Sequence, residues 1–249
     1  MRRLYAIGDI HGQRDMLRAA HARVAADRRR CGDVDAPLVH LGDLTDRGPD
    51  SRGVIEDLVR GIAEGEPWHV IRGNHDQLFL DFLSFEGEDD PRRDTALYWL
   101  RPNLGGSATM ASYGVDPDPR RDLEAVQADA GAAVPQSHRA LLENMPYVHE
   151  TEDLICVHAG IRPGIPLDRQ DPDDLVWIRF EFLESTRDHG RLVVHGHTPA
   201  EAPENHGNRI NLDTGAGYGR PLTAAVFEGR EPFILTDNGR TRLPLIWDL

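Results

Sequence analysis

Five short stretches carry the residues that could do chemistry. Three come early, each pairing glycine with a potential metal ligand: Gly8-Asp9-Ile10-His11-Gly12, Gly42-Asp43-Leu44-Thr45-Asp46-Arg47-Gly48 and Gly73-Asn74-His75-Asp76. Two come later, Val157-His158-Ala159-Gly160 and Val194-His195-Gly196-His197-Thr198-Pro199. Together they offer two aspartates, one asparagine and at least three histidines, each just after an apolar run. Carboxylate oxygen mixed with imidazole nitrogen suits borderline divalent ions such as manganese, iron or zinc, and the thiolates of a structural zinc site are missing. Six ligands exceed what one ion needs when positions must stay open for water and substrate, so the pattern predicts two ions. A pair about 3.5 to 4 Å apart can share one carboxylate, activate a bridging hydroxide and hold phosphoryl oxygens in line.

Such a site needs elements that bring distant residues together. The apolar runs Leu4–Ile7, Leu38–Leu41 and Trp68–Ile71, bounded by Gly and Asp, read as buried strands. Met16–Ala26 and Val54–Ile62 carry apolar residues at helical spacing, with Asp50-Ser51 as the N-cap region of the second helix. The chain thus begins β-α-β-α-β. Further strand-like runs follow at Leu154–Val157, Leu192–His195, Ile210–Leu212, Leu222–Phe227 and Pro232–Leu235. Residues 85–140, with the acidic stretch Glu86 to Asp90, the Tyr98-Trp99 pair and a helix over Asp122–Ala130, read as a cap or insertion. Without a linker or repeat, residues 1–249 are expected to form one domain. The expected class is α/β, a two-sheet sandwich flanked by helices. The carboxyl ends of neighbouring strands converge on one crevice in such folds, and glycine after each strand lets the backbone turn sharply there.

Composition narrows the field. With 28 basic and 42 acidic residues the formal charge is -14, which argues against nucleic acid and anionic membrane as partners. Every basic residue is arginine, so chemistry that needs lysine, such as a Schiff base or a Walker-type phosphate loop, is excluded. The start, Met1-Arg2-Arg3 and then Leu4–Ile7, is too short an apolar run for a signal peptide, and no run is long enough to cross a membrane. A cytoplasmic protein with reduced thiols is expected: Cys156 in the core, Cys31 in a loop, neither reactive.

The ordered motifs G-D-x-H-G, G-D-x-x-D-R-G, G-N-H-D, H-A-G and G-H-T-P resemble the phosphoprotein phosphatases, the branch of the calcineurin-like metallophosphoesterases that includes bacterial serine/threonine phosphatases. The likeness covers nearly the whole chain, including Tyr98-Trp99-Leu100, Ser112-Tyr113-Gly114 and Asp213-Thr214-Gly215. It implies that Asp9 and His11 hold the first metal, that Asp43 bridges, and that Asn74, His158 and His197 complete the second site. It also implies phosphate binding by Arg47 and Arg179, and a general acid, His75, oriented by Asp46. His195 and His197, two apart on a possible strand, would share a face; the resemblance makes His197 the ligand and His195 a supporting residue.

The charges fit an anionic substrate despite the acidic chain. Two divalent ions against Asp9 and Asp43 leave roughly +2 before the arginines are counted. Surface charge is screened over about 8 to 10 Å, whereas the ligands act at contact distance. Hydroxide is expected to attack phosphorus directly, with His75 protonating the leaving oxygen. The leading expectation is a manganese-dependent serine/threonine phosphatase, with a phosphorylated protein or small phosphoester as substrate. The alternative is a symmetrical dinucleoside tetraphosphate hydrolase, which usually replaces the aspartate equivalent to Asp46. A non-catalytic phosphate-binding scaffold should have lost ligands, and none is lost.

Overall fold

The computed structural model describes residues 3–248. Met1 and Arg2, which precede the short apolar run Leu4–Ile7, lie outside them. The first half runs β1 (Arg3–Ile7), α1 (Arg14–Cys31), β2 (Leu38–His40), α2 (Ser51–Ala63), β3 (Trp68–Val70) and α3 (Asn74–Ser84). Four helices follow: α4 (Arg92–Trp99), α5 (Gly106–Ser112), α6 (Leu123–Ala133) and α7 (Gln136–Asn144). The second half holds β4 (Val148–Glu150), β5 (Leu154–Val157), α8 (Pro172–Trp177), α9 (Phe180–Leu183) and β6 (Leu192–His195). It ends with β7 (Glu204–Asn205), β8 (Arg209–Asn211), β9 (Ala224–Glu228), β10 (Glu231–Thr236) and β11 (Gly239–Arg242).

The strands form two mixed sheets, ordered β11-β10-β9-β1-β2-β3 and β4-β5-β6-β8-β7. In the first, β1, β2 and β3 are parallel, with Tyr5 opposite Leu38 and Leu38 opposite Trp68; in the second, β5, β6 and β8 are parallel. Strand alternation sorts the side chains. Leu4 and Ala6 pack with Val39, Leu41, Cys156, Val194 and Ile210 between the sheets, whereas Tyr5 and Ile7 face the helices. Burial on both faces explains why these strands are continuous apolar runs. The α/β two-sheet sandwich flanked by helices is therefore the observed architecture.

Local signals act where they are expected. The Asp50 carboxylate caps α2 by accepting the Gly53 N–H at 2.8 Å. Leu17, Ala20 and Val24 form the buried stripe of α1. Three details differ from expectation. Residues 85–140 contain α4, α5 and the start of α7 beside the expected helix, which is α6, and they pack on α2 and α3. The run Leu222–Phe227 pairs only from Ala224, and Ile210–Leu212 begins a residue earlier. Cys31 ends α1 instead of lying in a loop, its thiol against Asp27 and Arg240, while Cys156 is fully buried as expected. Among the described residues no helix is long and apolar enough to cross a membrane.

Candidate active site

The carboxyl ends of the parallel strands of both sheets meet at one edge of the sandwich. His158, after β5, lies with Nδ1 2.8 Å from the Leu41 carbonyl after β2, a contact that crosses from one sheet to the other. Glycine makes the approach possible. A Cβ on Gly73 would come within 2.2 Å of Asp43 Oδ1, and one on Gly196 within 2.0 Å of Asp9 Oδ1.

Asp43 is the centre. His11 Nε2 lies 3.4 Å from its Oδ2, His158 Nε2 lies 3.4 Å from its Oδ1, and the His75 N–H donates to Oδ1 at 3.0 Å. Ligand atoms of His11, Asp43 and His75 fall within 4.8 Å of one another, as do those of Asp43, His158 and His197. The two groups share Asp43, as a bridging ligand requires. Asn74 closes the second, its Oδ1 2.9 Å from His158 Nε2 and 2.8 Å from His197 Nδ1. Asp9 enters through its carboxylate, which accepts the His197 N–H at 3.0 Å.

The donor set fits divalent metal. His11 Nδ1 is 2.7 Å from the Thr45 carbonyl and His158 Nδ1 is 2.8 Å from that of Leu41, so each ring gives its Nδ1–H to backbone and turns its Nε2 lone pair toward Asp43. The His158 lone pair then faces Asn74 Oδ1 and Asp43 Oδ1, which are acceptors themselves. Lone pairs that converge on one point in this way suit a shared cation. Burial, against the pull of Asp43, drives the His11 imidazole down to about 3, the neutral form a metal needs. Burial alone would raise Asp43, but the surrounding imidazoles outweigh it and hold its carboxyl below the usual range. Burial together with Asp213 and Asp43 pushes Asp9 well up.

Arg47 enters from the side, its Nη2 2.9 Å from His75 Nε2 and its Nη1 touching His11 Nε2. Arg179, between α8 and α9, donates from Nε to His197 Nε2 at 3.1 Å. Arg179 thus sits in the break between two short helices. His75 Nδ1 lies 2.6 Å from Asp46 Oδ2. Burial works against a charged His75, yet Asp43 and Asp46 overcome it and raise its pKa.

The backbone marks the same place. Among the described residues the non-glycine positions with positive φ are His11 (48°), Asp43 (49°), Asp46 (76°), Arg47 (64°) and His197 (67°), and all lie here. Such strain is concentrated where surrounding structure enforces it. It also corrects the expectation that His195 and His197 share a face: β6 ends at His195, and the left-handed turn at His197 sends only that ring into the cleft. His195 packs on Phe182 and takes a hydrogen bond from Arg209 at 3.2 Å. Asp76 and Trp99 were not foreseen. Asp76 ties the motifs together by accepting from Leu44 N and Gly73 N; Trp99 donates from its indole to Asp46 at 2.7 Å. A buried indole N–H needs an acceptor, and that was the available signal. A cavity of about 860 Å³ opens at the opposite, amino ends of the strands beside Arg3, Asp33 and Glu150 and holds none of these residues.

The fold and this cluster define a metal-dependent phosphoesterase. The calcineurin-like phosphoesterase family matches residues 2–219, and the chain belongs to it. It is similar to the asymmetrical bis(5'-nucleosyl)-tetraphosphatase PrpE of Halalkalibacterium halodurans, 26% identical over 89% of this chain and 88% of that one. PrpE of Bacillus thuringiensis is 25% identical over 96% and 95%. In structure the chain resembles a cold-active protein tyrosine phosphatase, with a TM-score of 0.64 and 18% identity over 98% of this chain and 79% of the other; at that identity the likeness concerns fold alone.

Proposed function

We propose that this hydrolase cleaves dinucleoside polyphosphates, with Asp9 and His11 holding one metal, Asp43 bridging, and Asn74, His158 and His197 holding the second. Ions bound there would supply the activation of water and neutralise charge on the phosphoryl group. Arg47 and Arg179 are the phosphate-binding forks. His75 is the general acid, its Nδ1 held by Asp46 and its Nε2 facing the cleft to protonate the leaving oxygen. Residues 85–140 are taken as the cap beside this cleft.

The observation that carries the substrate class is a pair of exposed aromatic rings flanking the arginines. Tyr218, 60% exposed, lies 5.1 Å from the Arg47 guanidinium, and Trp177, 43% exposed, meets the His197 ring at 5.9 Å. Arginines for phosphates beside open rings for bases suit a nucleotide, since every base has a face that stacks. The names of the full-length relatives point the same way. The Asp46–His75 pair favours a second reading, a serine/threonine phosphatase, because an alkoxide needs a proton more than a nucleotide phosphate does.

The test is hydrolysis of diadenosine tetraphosphate and a phosphothreonine peptide side by side, with manganese restored after chelation. The dinucleotide should have the higher specificity constant, with AMP and ATP as products for asymmetrical cleavage and ADP alone for symmetrical. A higher constant for the peptide would transfer the conclusion to the second reading. His75→Asn should lower turnover of the peptide by about 10² or more and of the dinucleotide by less, while both metal equivalents remain bound. Loss of one equivalent would make His75 a ligand.

A further inference from the structure

Asp46 is completely buried, and apart from His75 its partners come from outside the five motifs. Oδ2 receives the Trp99 indole N–H at 2.7 Å as well as His75 Nδ1 at 2.6 Å, and Oδ1 receives the Thr109 hydroxyl at 2.6 Å. The Asp46 N–H is shared between Thr109 Oγ1 at 2.8 Å and Ser51 Oγ at 3.0 Å. Directions are fixed by chemistry. An indole N–H can only donate, and a Thr109 hydroxyl that accepts from a backbone N–H has its own hydrogen free for Oδ1. Asp46 is therefore bound as a carboxylate from both oxygens, and the proton between it and His75 belongs on Nδ1. Trp99 is held in turn, stacked on Phe79 at 5.5 Å and against Phe82 at 5.0 Å, both on the helix that begins with Asn74-His75. Trp99 ends α4 and Thr109 lies in α5, so both donors that hold the carboxylate beside His75 come from segment 85–140.

We propose that Trp99 and Thr109 are positioning residues for leaving-group protonation. Acting through Asp46, they lock the His75 ring with Nε2 toward the cleft, and they make the helical segment part of the reaction apparatus rather than a cover. As the phosphorus–oxygen bond breaks, its electron pair stays on the leaving oxygen, that oxygen takes the Nε2 proton, and His75 is left neutral. The inference rests on His75 being the acid.

Two substrates that differ only in their need for that proton separate positioning from general damage. Phenyl phosphate leaves as a basic phenoxide, 2,4-dinitrophenyl phosphate as a stable anion. Thr109→Val keeps the shape and removes the hydroxyl, and Trp99→Phe keeps the aromatic stacking and removes the N–H. For both, the loss in kcat on phenyl phosphate should exceed the loss on the dinitrophenyl ester by about tenfold or more, and Thr109→Ser should restore the wild-type ratio. Equal losses on the two esters would reduce the residues to structural support and overturn the proposal. His75→Asn is the control: if it shows no such selectivity, the acid assignment itself fails, whereas a selective His75→Asn beside unselective Thr109→Val and Trp99→Phe refutes only the present inference. A second readout needs no turnover. In magnesium-loaded protein the Nδ1 proton of the His75–Asp46 pair should give a far-downfield NMR resonance that survives in Thr109→Ser and moves or vanishes in Thr109→Val; an unmoved resonance in Thr109→Val counts against the proposal.

Discussion

Two groups of histidines, one at the strand ends where both sheets meet and one between the first sheet and α1, differ in what closes them. Around Asp43, His11, His158 and His197 turn ring nitrogens toward acceptors. In the other group His40 is fully buried, its Nδ1 3.2 Å from the His69 carbonyl and its Nε2 2.8 Å from His21 Nε2, while the His21 ring stacks on Trp68 at 4.2 Å. If His40 donates from Nδ1, its Nε2 accepts the His21 N–H, and two neutral rings are satisfied without an ion. No carboxylate sits between them, and neither residue has positive φ. Burial of imidazole is thus uninformative by itself. A shared carboxylate, surplus lone pairs and enforced backbone strain are what distinguish the candidate site.

The sharpest way to break this contrast is to neutralise its centre. Asp43→Asn should lower hydrolysis on the order of 10³-fold or more and remove both manganese-binding events from a calorimetric titration, because both groups depend on that carboxylate. His40→Gln should remove neither. Two equivalents still bound by Asp43→Asn would mean that the shared carboxylate is incidental.

A finer contrast lies between the two arginines. Arg47 is half-buried and touches both His11 and His75, whereas Arg179 is exposed and reaches only His197. A preorganised fork in a partly dry site contributes more than a mobile one. Arg47→Ala should therefore cost about 10² in kcat/KM and Arg179→Ala about tenfold, measured by steady-state kinetics on the preferred substrate. The reverse order would make Arg179 the principal phosphate clamp.

What was legible in the sequence follows from range. Asp9, Asp43, Asn74, His158 and His197 could be read because each sits in a local strand-end motif, and the buried strands because both their faces are apolar. The support of Asp46 could not, since Trp99 and Thr109 lie 53 and 63 positions away and nothing local ties an indole to a carboxylate. The separation of His195 from His197 was hidden for another reason: alternation assumes extended backbone, and the positive φ at His197 ends it. The edge strand Gly239–Arg242, Gly-Arg-Thr-Arg, has no apolar periodicity to announce it and exists because β10 pairs with it.

The smallest effect concerns the histidine pair that lacks a carboxylate. Burial lowers His21 to about 4, with Asp57 opposing and Arg28 assisting, against an ordinary value of about 6.5. Between those values the unfolded chain binds a proton that the folded chain refuses, so stability falls as pH drops through the window and is level above it. His21→Gln keeps an N–H for His40 Nε2 and removes this titration. The stability of the variant relative to wild type should then shift in its favour on the order of 1 to 2 kcal/mol between pH 7 and pH 5, read from urea unfolding at each pH. All other titrating groups are common to both proteins and cancel in the difference. A constant gap would mean that His21 protonates in the folded state as freely as in the unfolded chain; the two histidine groups would then differ less than their geometry implies.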